Sequence, residues 1–307
     1  MNQTILITGA NGGIGKDTAR QLALRKETEK IYLACRNQER AELARRSLEG
    51  TSQRKIFEVL IMDVSDPESV KSAIGNLNEP VDALIMNAGG MGGKTPDKIT
   101  RDGVTQIFAA NVLGHVVLVD ELIKVNKLKN VALYASSEAV RGVEKMGMKQ
   151  PNLKTSSIDE FSSIIDGSFF GSKLDPMEAY GLVKYIATLW MSSMARKNLS
   201  VRFISMSPGG TKGTAVMDDM SGFQKIMFKY IMMPFVMPMM GMAHSLETGA
   251  KRFVDGINNE SLKSGLFYGS KENVLTGPLV DQSTFFEDLN NSEFQDHTHE
   301  AIYRFIK

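Results

Sequence analysis

The chain of 307 residues is 42% hydrophobic and 23% charged, a composition typical of a globular protein with a sizeable core. Its 36 basic and 35 acidic side chains give a formal net charge of +1, so no global field directs it to nucleic acid or to an anionic membrane surface. The single cysteine, Cys35, excludes an internal disulfide framework and fits a reducing compartment. These features predict a cytoplasmic protein that acts on a small, nearly neutral partner.

Short apolar runs alternate with longer amphipathic ones along the chain. Seven runs predict strands: Thr4–Thr8, Ile31–Ala34, Phe57–Met62, Ala83–Met86, Val131–Ala135, Val201–Ser205 and Gly265–Tyr268. Apolar strands separated by helices are typical of a parallel sheet that is buried on both faces. The sequence therefore predicts a doubly wound α/β fold, with residues 1–307 in one domain.

A glycine-rich turn, TGANGGIG, follows the first predicted strand and precedes a helical pattern over Asp17–Leu24. Its glycines allow backbone N–H groups to approach a pyrophosphate at a helix N-terminus. The spacing differs from G-x-G-x-x-G, and by itself the turn is also compatible with an ordinary strand-to-helix connection. In its context we interpret it as a dinucleotide cradle formed by Gly9, Asn11, Gly12, Gly13, Ile14 and Gly15.

The second predicted strand is followed by a basic residue. About 20 positions beyond the glycine turn, NAD-binding folds usually carry a carboxylate that binds the ribose 2′-hydroxyl. Here the chain has Cys35 and then Arg36, whose guanidinium can pair with a 2′-phosphate. This favours NADP(H) over NAD, the alternative being that Arg36 is a solvated surface charge.

The third and fourth predicted strands also end in candidate cofactor contacts. Asp63, followed by Val64, can accept a hydrogen bond from an adenine amino group, and the small residues of Asn87-Ala88-Gly89 allow a cofactor to lie against the backbone. Alternatively, both segments are ordinary turns, with Asp63 capping the next helix.

A tyrosine and a lysine lie four residues apart in a predicted helix over residues 177–195, so that Tyr180 and Lys184 share one face. Positive charge nearby lowers a tyrosine pKa from its ordinary value of ~10, which suits Tyr180 to act as general acid or base. Ser137 ends the fifth strand, where its hydroxyl can hold a substrate oxygen, and Asn111 can anchor a water that relays protons through Lys184. The alternatives are a surface helix pair, a helix cap and a satisfied buried amide.

In this order the segments resemble the short-chain dehydrogenase/reductase family over nearly the whole chain. The resemblance rests on Thr8-Gly9-x3-Gly13-x-Gly15, Asp63, Asn87-Ala88-Gly89, Asn111, Ser137, Tyr180-x3-Lys184 and Pro208-Gly209. It implies a seven-stranded Rossmann sheet, hydride transfer between NAD(P)H and a carbonyl or alcohol carbon, and a homodimer or homotetramer. It also implies a catalytic tetrad of Asn111, Ser137, Tyr180 and Lys184, with Tyr180 and Lys184 also contacting the cofactor.

The resemblance further supports Arg36 as the NADP selector and Pro208 and Gly209 as cofactor contacts. Of two adjacent serines it favours Ser137, because the family usually places the catalytic serine second. Gly210 stands where the family often has a threonine that contacts the nicotinamide carboxamide. Thr211 or Thr214 is expected to take over that contact.

Two stretches interrupt the regular alternation, residues 138–176 and residues 215–243. The first makes the interval before Tyr180 much longer than in simple family members, and we interpret it as an insertion that forms a lid or pocket wall. Its layout is similar to that of retinol dehydrogenases and protochlorophyllide reductase, but Gly210 replaces the cysteine of the latter, which argues against pigment reduction.

The second stretch is rich in methionine and is interpreted as a lid over a bulky, apolar carbonyl or alcohol substrate. Core packing and peripheral membrane attachment are the alternatives. Its most apolar part, Ile226–Met242, is too short and too often interrupted to span a membrane.

The remaining predictions concern rival functions and the C-terminus. The main rival is a regulatory protein that senses NADP(H) without turnover, and the intact tetrad argues against it. A metal hydrolase that uses Asp296, His297, His299 and Glu300 is the second, but we interpret this cluster as a solvated helix face and predict no metal.

The tail predicts a helix that begins with a Ser292 and Gln295 capping box.

Overall fold

The computed structural model describes residues 3–144, 148–211 and 242–306. Its strands form one eight-stranded sheet in the order β3-β2-β1-β4-β5-β6-β7-β8, parallel throughout except for the antiparallel pair β7 and β8. The strands are β1 (Thr4–Thr8), β2 (Lys30–Cys35), β3 (Phe57–Ile61), β4 (Val81–Met86), β5 (Leu128–Ala135), β6 (Arg202–Met206), β7 (Phe267–Gly269) and β8 (Val280–Asp281).

Eight α-helices of the described residues cover both faces of this sheet, and the fourth contains a π-helical segment, Ala109–Leu113. They are α1 (Gly13–Ala23), α2 (Gln38–Ser52), α3 (Pro67–Gly75), α4 (Gln106–Lys124), α5 (Ile158–Asp166), α6 (Pro176–Lys197), α7 (Leu246–Asn258) and α8 (Ser292–Tyr303).

The predicted doubly wound α/β fold class is confirmed. Each of the seven predicted strands overlaps a strand of the sheet, and the helix predicted around Tyr180 corresponds to α6. The sheet has one strand more than predicted, because β8 contains only two residues and carries no alternating pattern that a sequence could reveal.

Alternate residues of the central strands face two separate apolar layers. In β1, Leu6 belongs to the layer that contains α4 and α6, whereas Ile5 and Ile7 belong to the layer that contains α1 and α7. This is the period of two expected for a strand, with apolar packing on both sides. The carboxyl ends of the strands are consequently the edge of the sheet where connecting loops and a ligand can lie.

The interval between β5 and α6 contributes to the core. Its helix α5 buries Phe161, Ile164 and Ile165 in the layer that contains α6. The C-terminal helix α8 also packs on α6, where Ser193 donates a hydrogen bond to Asp296 at 2.8 Å.

The predicted cap of the C-terminal helix is wrong. Asn291 is the N-cap, and its side-chain oxygen accepts hydrogen bonds from the backbone N–H groups of Glu293 and Phe294 at 3.0 and 3.2 Å. Gln295 is buried and donates to the Leu289 carbonyl at 2.7 Å. The short asparagine side chain one residue earlier satisfies the helix end, so that Ser292 becomes the first helical residue.

Helix α4 is the one described helix that is long and apolar enough to cross a membrane by length and composition. Most of its apolar window, 72%, is buried inside the protein, as is usual for the central helix of a packed domain. This helix is therefore weak evidence for a membrane span.

Candidate active site

Four neighbouring strands direct their carboxyl ends to one crevice. The glycine-rich turn follows β1, Asn87 follows β4, Ser137 follows β5 and Pro208 follows β6, and these strands are adjacent in the order β1-β4-β5-β6. Parallel pairing thus brings together segments that are far apart in the sequence.

The glycine-rich turn has the shape of an anion cradle. Gly9 and Gly13 adopt positive φ angles of 67° and 52°, which favour glycine. A Cβ atom on Gly15 would lie 2.5 Å from Asn87 Nδ2 and 2.6 Å from the Gly9 carbonyl oxygen. Helix α1 begins within this turn, and its N-cap, Gly12, supplies no side-chain hydrogen bond. Backbone N–H groups at its start can therefore bind a pyrophosphate.

The other predicted residues of the turn frame this cradle. Gly12 and Gly13 are exposed, Asn11 is partly exposed, and Ile14 packs against the apolar layer beneath. Across the crevice, Asn87 Nδ2 donates to the Thr8 carbonyl at 2.9 Å, which joins the end of β4 to the end of β1. The turn and the Asn87 segment accordingly form one continuous surface.

A basic cavity opens between the glycine-rich turn and α2. Arg36 is exposed directly after β2, and two further cations, Lys16 and Arg40, line an open cavity of about 330 Å³ together with Asn11, Leu43 and Ala44. The sequence reasoning missed Lys16 and Arg40. Their positions in the first turns of helices that flank the predicted cradle were the available signal.

Cys35 lies beneath the turn and is buried. Burial raises the pKa of its thiol to about 11, although the sulfur accepts hydrogen bonds from the backbone N–H groups of Ala10 and Asn11. A protonated, buried thiol has a packing role rather than a reactive one.

The Asp63-Val64 segment makes two close contacts. Asp63 accepts hydrogen bonds from the backbone and hydroxyl of Ser65 at 2.9 and 2.7 Å, whereas Asp66 is the N-cap of α3. The alternative that Asp63 caps this helix is therefore wrong. A Cβ on Gly114 would lie 1.8 Å from the Val64 carbonyl oxygen, so a glycine in α4 is required where the helix meets this loop.

Tyr180, Ser137 and Lys184 converge beside the cradle. Ser137 accepts a hydrogen bond from the Ala139 N–H at 3.2 Å, and it also forms a side-chain hydrogen bond with Tyr180. The neighbouring Ser136 points away and pairs with the Thr188 hydroxyl at 2.8 Å. Of the two serines, Ser137 is thus the one placed to share a substrate oxygen with Tyr180.

Burial acts oppositely on the two ionisable groups of this site. It raises the pKa of Tyr180 to about 12, against the lowering effect of the Ser137 hydrogen bond. It lowers the pKa of Lys184 to about 7. The ammonium nitrogen lies 5.7 Å from the Tyr180 ring centroid, and Tyr180 is only partly exposed while Lys184 is 3% exposed. The protein alone therefore holds Tyr180 as a neutral acid.

The Asn111 side chain is satisfied by the protein. Its amide nitrogen donates to the carbonyls of Gly90 and Ile107, both at 2.8 Å, and its oxygen accepts from the Gly90 N–H at 3.1 Å. A Cβ on Gly89 would lie 2.5 Å from the Asn111 oxygen and 3.5 Å from the Lys184 nitrogen. Asn111, in the π-helical segment of α4, accordingly holds the loop after β4 against the lysine, as the buried-amide alternative expects.

The segment after β6 forms a tight turn. Thr211 is buried and its hydroxyl donates to the carbonyls of Pro208 and Gly209 at 3.2 and 3.1 Å, while Thr214 lies outside the described residues. A Cβ on Gly210 would lie only 1.9 Å from the Met242 carbonyl oxygen. This close approach explains why a glycine occupies the position where a threonine was expected.

A buried cluster of charges lies behind the crevice and was missed by sequence reasoning. Glu138 accepts hydrogen bonds from the Ser207 hydroxyl and from the Ser270 N–H. Arg252 lies 3.7 Å from the same carboxylate, and both residues are at most 7% exposed. Arg141, also buried, donates to the side chain of Gln282. No local sequence pattern predicts this cluster, because its members come from different parts of the chain.

The two stretches that were predicted to form lids differ in how much of each the structure describes. Residues 212–241, which contain most of the methionine-rich stretch, lie outside the described residues, while Met242 and Ala243 pack in a small apolar cluster with Val143 and Leu275. Phe169, in the segment before α6, is 37% exposed, and Met177, in the first turn of α6, is 42% exposed.

The C-terminal histidines make unrelated contacts. His297 Nδ1 lies 2.9 Å from the Ser156 carbonyl oxygen, and His299 stacks on the Tyr303 ring at 4.3 Å between centroids. Within the described ranges, no group of three or more metal-ligating side chains lies together.

Comparisons with known proteins agree with this geometry. A sequence profile described as short chain dehydrogenase matches residues 3–139. The human dehydrogenase/reductase SDR family member 12 is 30% identical over 223 residues, which cover 72% of this chain and 64% of the relative. Human retinol dehydrogenase 11 is 38% identical over 133 residues, or 42% of this chain and 40% of the relative. The matched region thus spans less than two thirds of either relative.

A solved structure supports the fold. A short-chain dehydrogenase from Burkholderia cenocepacia in complex with NADP superposes with a TM-score of 0.60, covering 90% of this chain and 98% of that structure at 17% sequence identity. At this identity the likeness concerns the fold alone.

Proposed function

The chain belongs to the short-chain dehydrogenase/reductase family, and we propose that it is an NADPH-dependent member that moves a hydride between the nicotinamide and a carbonyl or alcohol carbon of a bulky apolar substrate. The observation that carries this proposal is the contact of Tyr180 with Ser137, with Lys184 one helical turn away, beside the glycine cradle. We further propose that it works in the cytoplasm, on the strength of its composition and its single, buried cysteine.

The side chains divide the work of reduction in a simple way. Ser137 donates a hydrogen bond that orients the substrate carbonyl oxygen. Tyr180, neutral at physiological pH, transfers its proton to that oxygen. NADPH held in the cradle would supply the hydride that the carbonyl carbon receives. The products are the alcohol and a phenolate that the nearby Lys184 ammonium stabilises. In oxidation the phenolate accepts the proton of the alcohol.

The cradle suits a dinucleotide because glycines occupy the positions where a Cβ would fill it. The N-terminus of α1 would hold the pyrophosphate, and the loop Asn87-Ala88-Gly89 and the Pro208-Gly209 turn would border the nicotinamide end. Arg36, Lys16 and Arg40 give the adenosine end a concentration of positive charge that suits a 2′-phosphate.

Arg36 provides a direct test of cofactor choice. Arg36→Leu is expected to raise KM for NADPH roughly 10- to 100-fold, because a charge-assisted hydrogen bond contributes about 1.5–3 kcal/mol, and to leave KM for NADH nearly unchanged. Steady-state kinetics with both cofactors measure this. The matched control is Arg46→Leu, which removes an exposed arginine of α2 that does not line the cavity. An equal loss with both cofactors would contradict the assignment.

The substrate class can be tested with a panel of carbonyl compounds followed by NADPH absorbance, with NADH as comparison. Phe169 and Met177, which precede Tyr180 in the chain, are exposed apolar side chains that suit contact with an apolar substrate. We expect kcat/KM for polycyclic ketones and long-chain aldehydes to exceed that for acetone or glyceraldehyde by at least about tenfold, the discrimination of one or two apolar groups in a pocket. Equal turnover of small polar and large apolar carbonyls would exclude this substrate class.

A further inference from the structure

Residues of β5 hold the Lys184 ammonium in place. Its ammonium donates to the Tyr134 hydroxyl at 3.1 Å and to the Ala135 carbonyl at 2.8 Å, and it lies 4.6 Å from the centroid of the Tyr134 ring. Tyr134 is fully buried in β5, and its hydroxyl donates in turn to the backbone carbonyl of Asn111 at 3.2 Å. Among the described residues Lys184 forms no ion pair, so these neutral groups determine where the ammonium sits.

The same Asn111 carbonyl takes part in a second chain of hydrogen bonds. The Ala88 N–H donates to the Thr8 hydroxyl at 2.9 Å, and that hydroxyl lies 3.0 Å from His115 Nε2. The other ring nitrogen, His115 Nδ1, lies 3.0 Å from the backbone carbonyl oxygen of Asn111. A backbone carbonyl oxygen can only accept, so His115 Nδ1 is the donor to Asn111 and the Nε2 of the neutral ring accepts the hydrogen of the Thr8 hydroxyl. His115 then carries its hydrogen on Nδ1 and donates it to Asn111.

This direction leaves the Asn111 carbonyl with two donors, the hydroxyl of Tyr134 and the Nδ1–H of His115. A carbonyl oxygen has two lone pairs, so both are occupied by protein groups. A carbonyl filled in this way has no lone pair left for a water that would pass protons to Lys184. Burial, the largest influence, lowers the pKa of His115 to about 4, so the imidazole stays neutral around pH 7.

We propose that Tyr134 is a positioning residue for the reaction. Its hydroxyl takes the place of a relay water and fixes Lys184 beside Tyr180. Together with His115 it also occupies both lone pairs of the Asn111 backbone carbonyl oxygen. This inference rests on the proposed function of the site. It adds a residue that touches neither substrate nor cofactor and acts through the lysine. The proton that Tyr180 delivers consequently returns from the crevice side rather than through the interior of α4.

Loss of the Tyr134 hydroxyl has a predictable electrostatic consequence. The titratable groups that face this region are Tyr134 from β5, Tyr180 from α6, neutral His115 from α4 and Glu138, whose charge raises the pKa of Tyr180. Without its oxygen acceptor the Lys184 ammonium is less stable, so the pKa of Lys184 falls. Less positive charge near Tyr180 raises the pKa of the phenol, and oxidation, which needs the phenolate, moves to higher pH.

Tyr134→Phe tests this inference because it removes one buried oxygen and keeps the ring. We expect the pH profile of kcat for alcohol oxidation to shift by about one unit to higher pH, the size of one charge-assisted hydrogen bond. At pH 7 kcat should fall about tenfold, while KM for NADP⁺ should change by less than about twofold.

The control is Tyr185→Phe, which removes a buried hydroxyl of α6 that has no hydrogen-bond partner among the described residues. It should leave both the pH profile and kcat unchanged. A Tyr134→Phe profile that superimposes on those of the wild type and of Tyr185→Phe would overturn the positioning role. Thermal melting of both variants establishes that they are folded.

A measurement on the unaltered protein covers the case in which Tyr134→Phe does not fold. Nitrogen NMR of His115 should show a neutral ring with hydrogen on Nδ1 between pH 6 and 8, and a ring with hydrogen on Nε2 would overturn the hydrogen-bond direction. Failure here is separable from failure of the proposed function, because in the latter case the wild type shows no turnover with any carbonyl or alcohol.

Discussion

Tyr180→Phe is expected to lower kcat for carbonyl reduction about 10³-fold, within the range that a positioned general acid contributes. The phenol is the acidic group that contacts Ser137 at the end of the crevice. Phenylalanine keeps the ring and removes only the proton donor, so substrate and cofactor sites should keep their shape. Stopped-flow or steady-state reduction, with NADPH binding followed by fluorescence, measures both effects.

Tyr185→Phe on the same helix is the matched control and should retain wild-type turnover, because its hydroxyl has no hydrogen-bond partner within the described ranges. Retention of more than about a tenth of wild-type kcat by Tyr180→Phe would contradict the assignment of the general acid. A protein that binds NADPH but turns over none of the tested carbonyls or alcohols in its wild-type form would instead be a cofactor sensor. The two outcomes are distinguished by the activity of the wild type.

Glu138→Gln is expected to reduce the free energy of unfolding by about 3–5 kcal/mol, the cost of removing one partner of a buried ion pair. Glu138 is 2% exposed, and its carboxylate lies 3.7 Å from the buried guanidinium of Arg252. Glutamine has nearly the same shape and can still accept from the Ser270 N–H. The change therefore removes charge while leaving the packing in place. Urea denaturation followed by circular dichroism measures it.

The surface substitution Glu144→Gln is the control, since this glutamate is exposed, and it should alter the unfolding free energy by less than about 0.5 kcal/mol. A similarly small effect of Glu138→Gln would mean that backbone carbonyls alone compensate Arg252. Those carbonyls are real partners, because Arg252 donates to Ser207 at 3.1 Å and to Gly277 at 2.9 Å.

Glu138 also connects Ser137, the residue before it in the chain, to the turn after β6. Ser207, which donates to the Glu138 carboxylate, accepts a hydrogen bond from the Gly209 N–H at 3.0 Å. A weakened cluster should thus disturb the Pro208-Gly209 turn before it disturbs the sheet. We expect Glu138→Gln to lower kcat/KM even under conditions where the variant remains folded.

Much of the architecture was predictable because the apolar pattern of each strand or helix lies within one short stretch of sequence. The run from Val131 to Ala135 is apolar throughout, as a strand buried on both faces must be, and it forms part of β5. The four-residue spacing of Tyr180 and Lys184 predicts that both lie on one helix face, and both belong to α6. The two-residue strand β8 was missed because so short a segment has no period to recognise.

Some residues were recognised while their contacts were not. Asn111 was expected to anchor a water, but its side chain holds the Gly90 loop and its carbonyl accepts from Tyr134 and His115. Gly210 departs from the family pattern at a position where a threonine is usual. The structure explains this departure, because the Met242 carbonyl would overlap any side chain at that position. Both contacts join segments that are distant in the sequence.

The sequence by itself determined the fold class, and it predicted the order of the glycine cradle and the proposed catalytic groups and the basic residue after β2. These features depend on contiguous residues, whose apolar pattern and turn chemistry constrain the backbone directly. Only the tertiary structure decided that Tyr134 holds Lys184 and that Glu138 meets Arg252. Buried polar partners are chosen by strand register and helix rotation, because each group must find a donor or acceptor wherever packing places it.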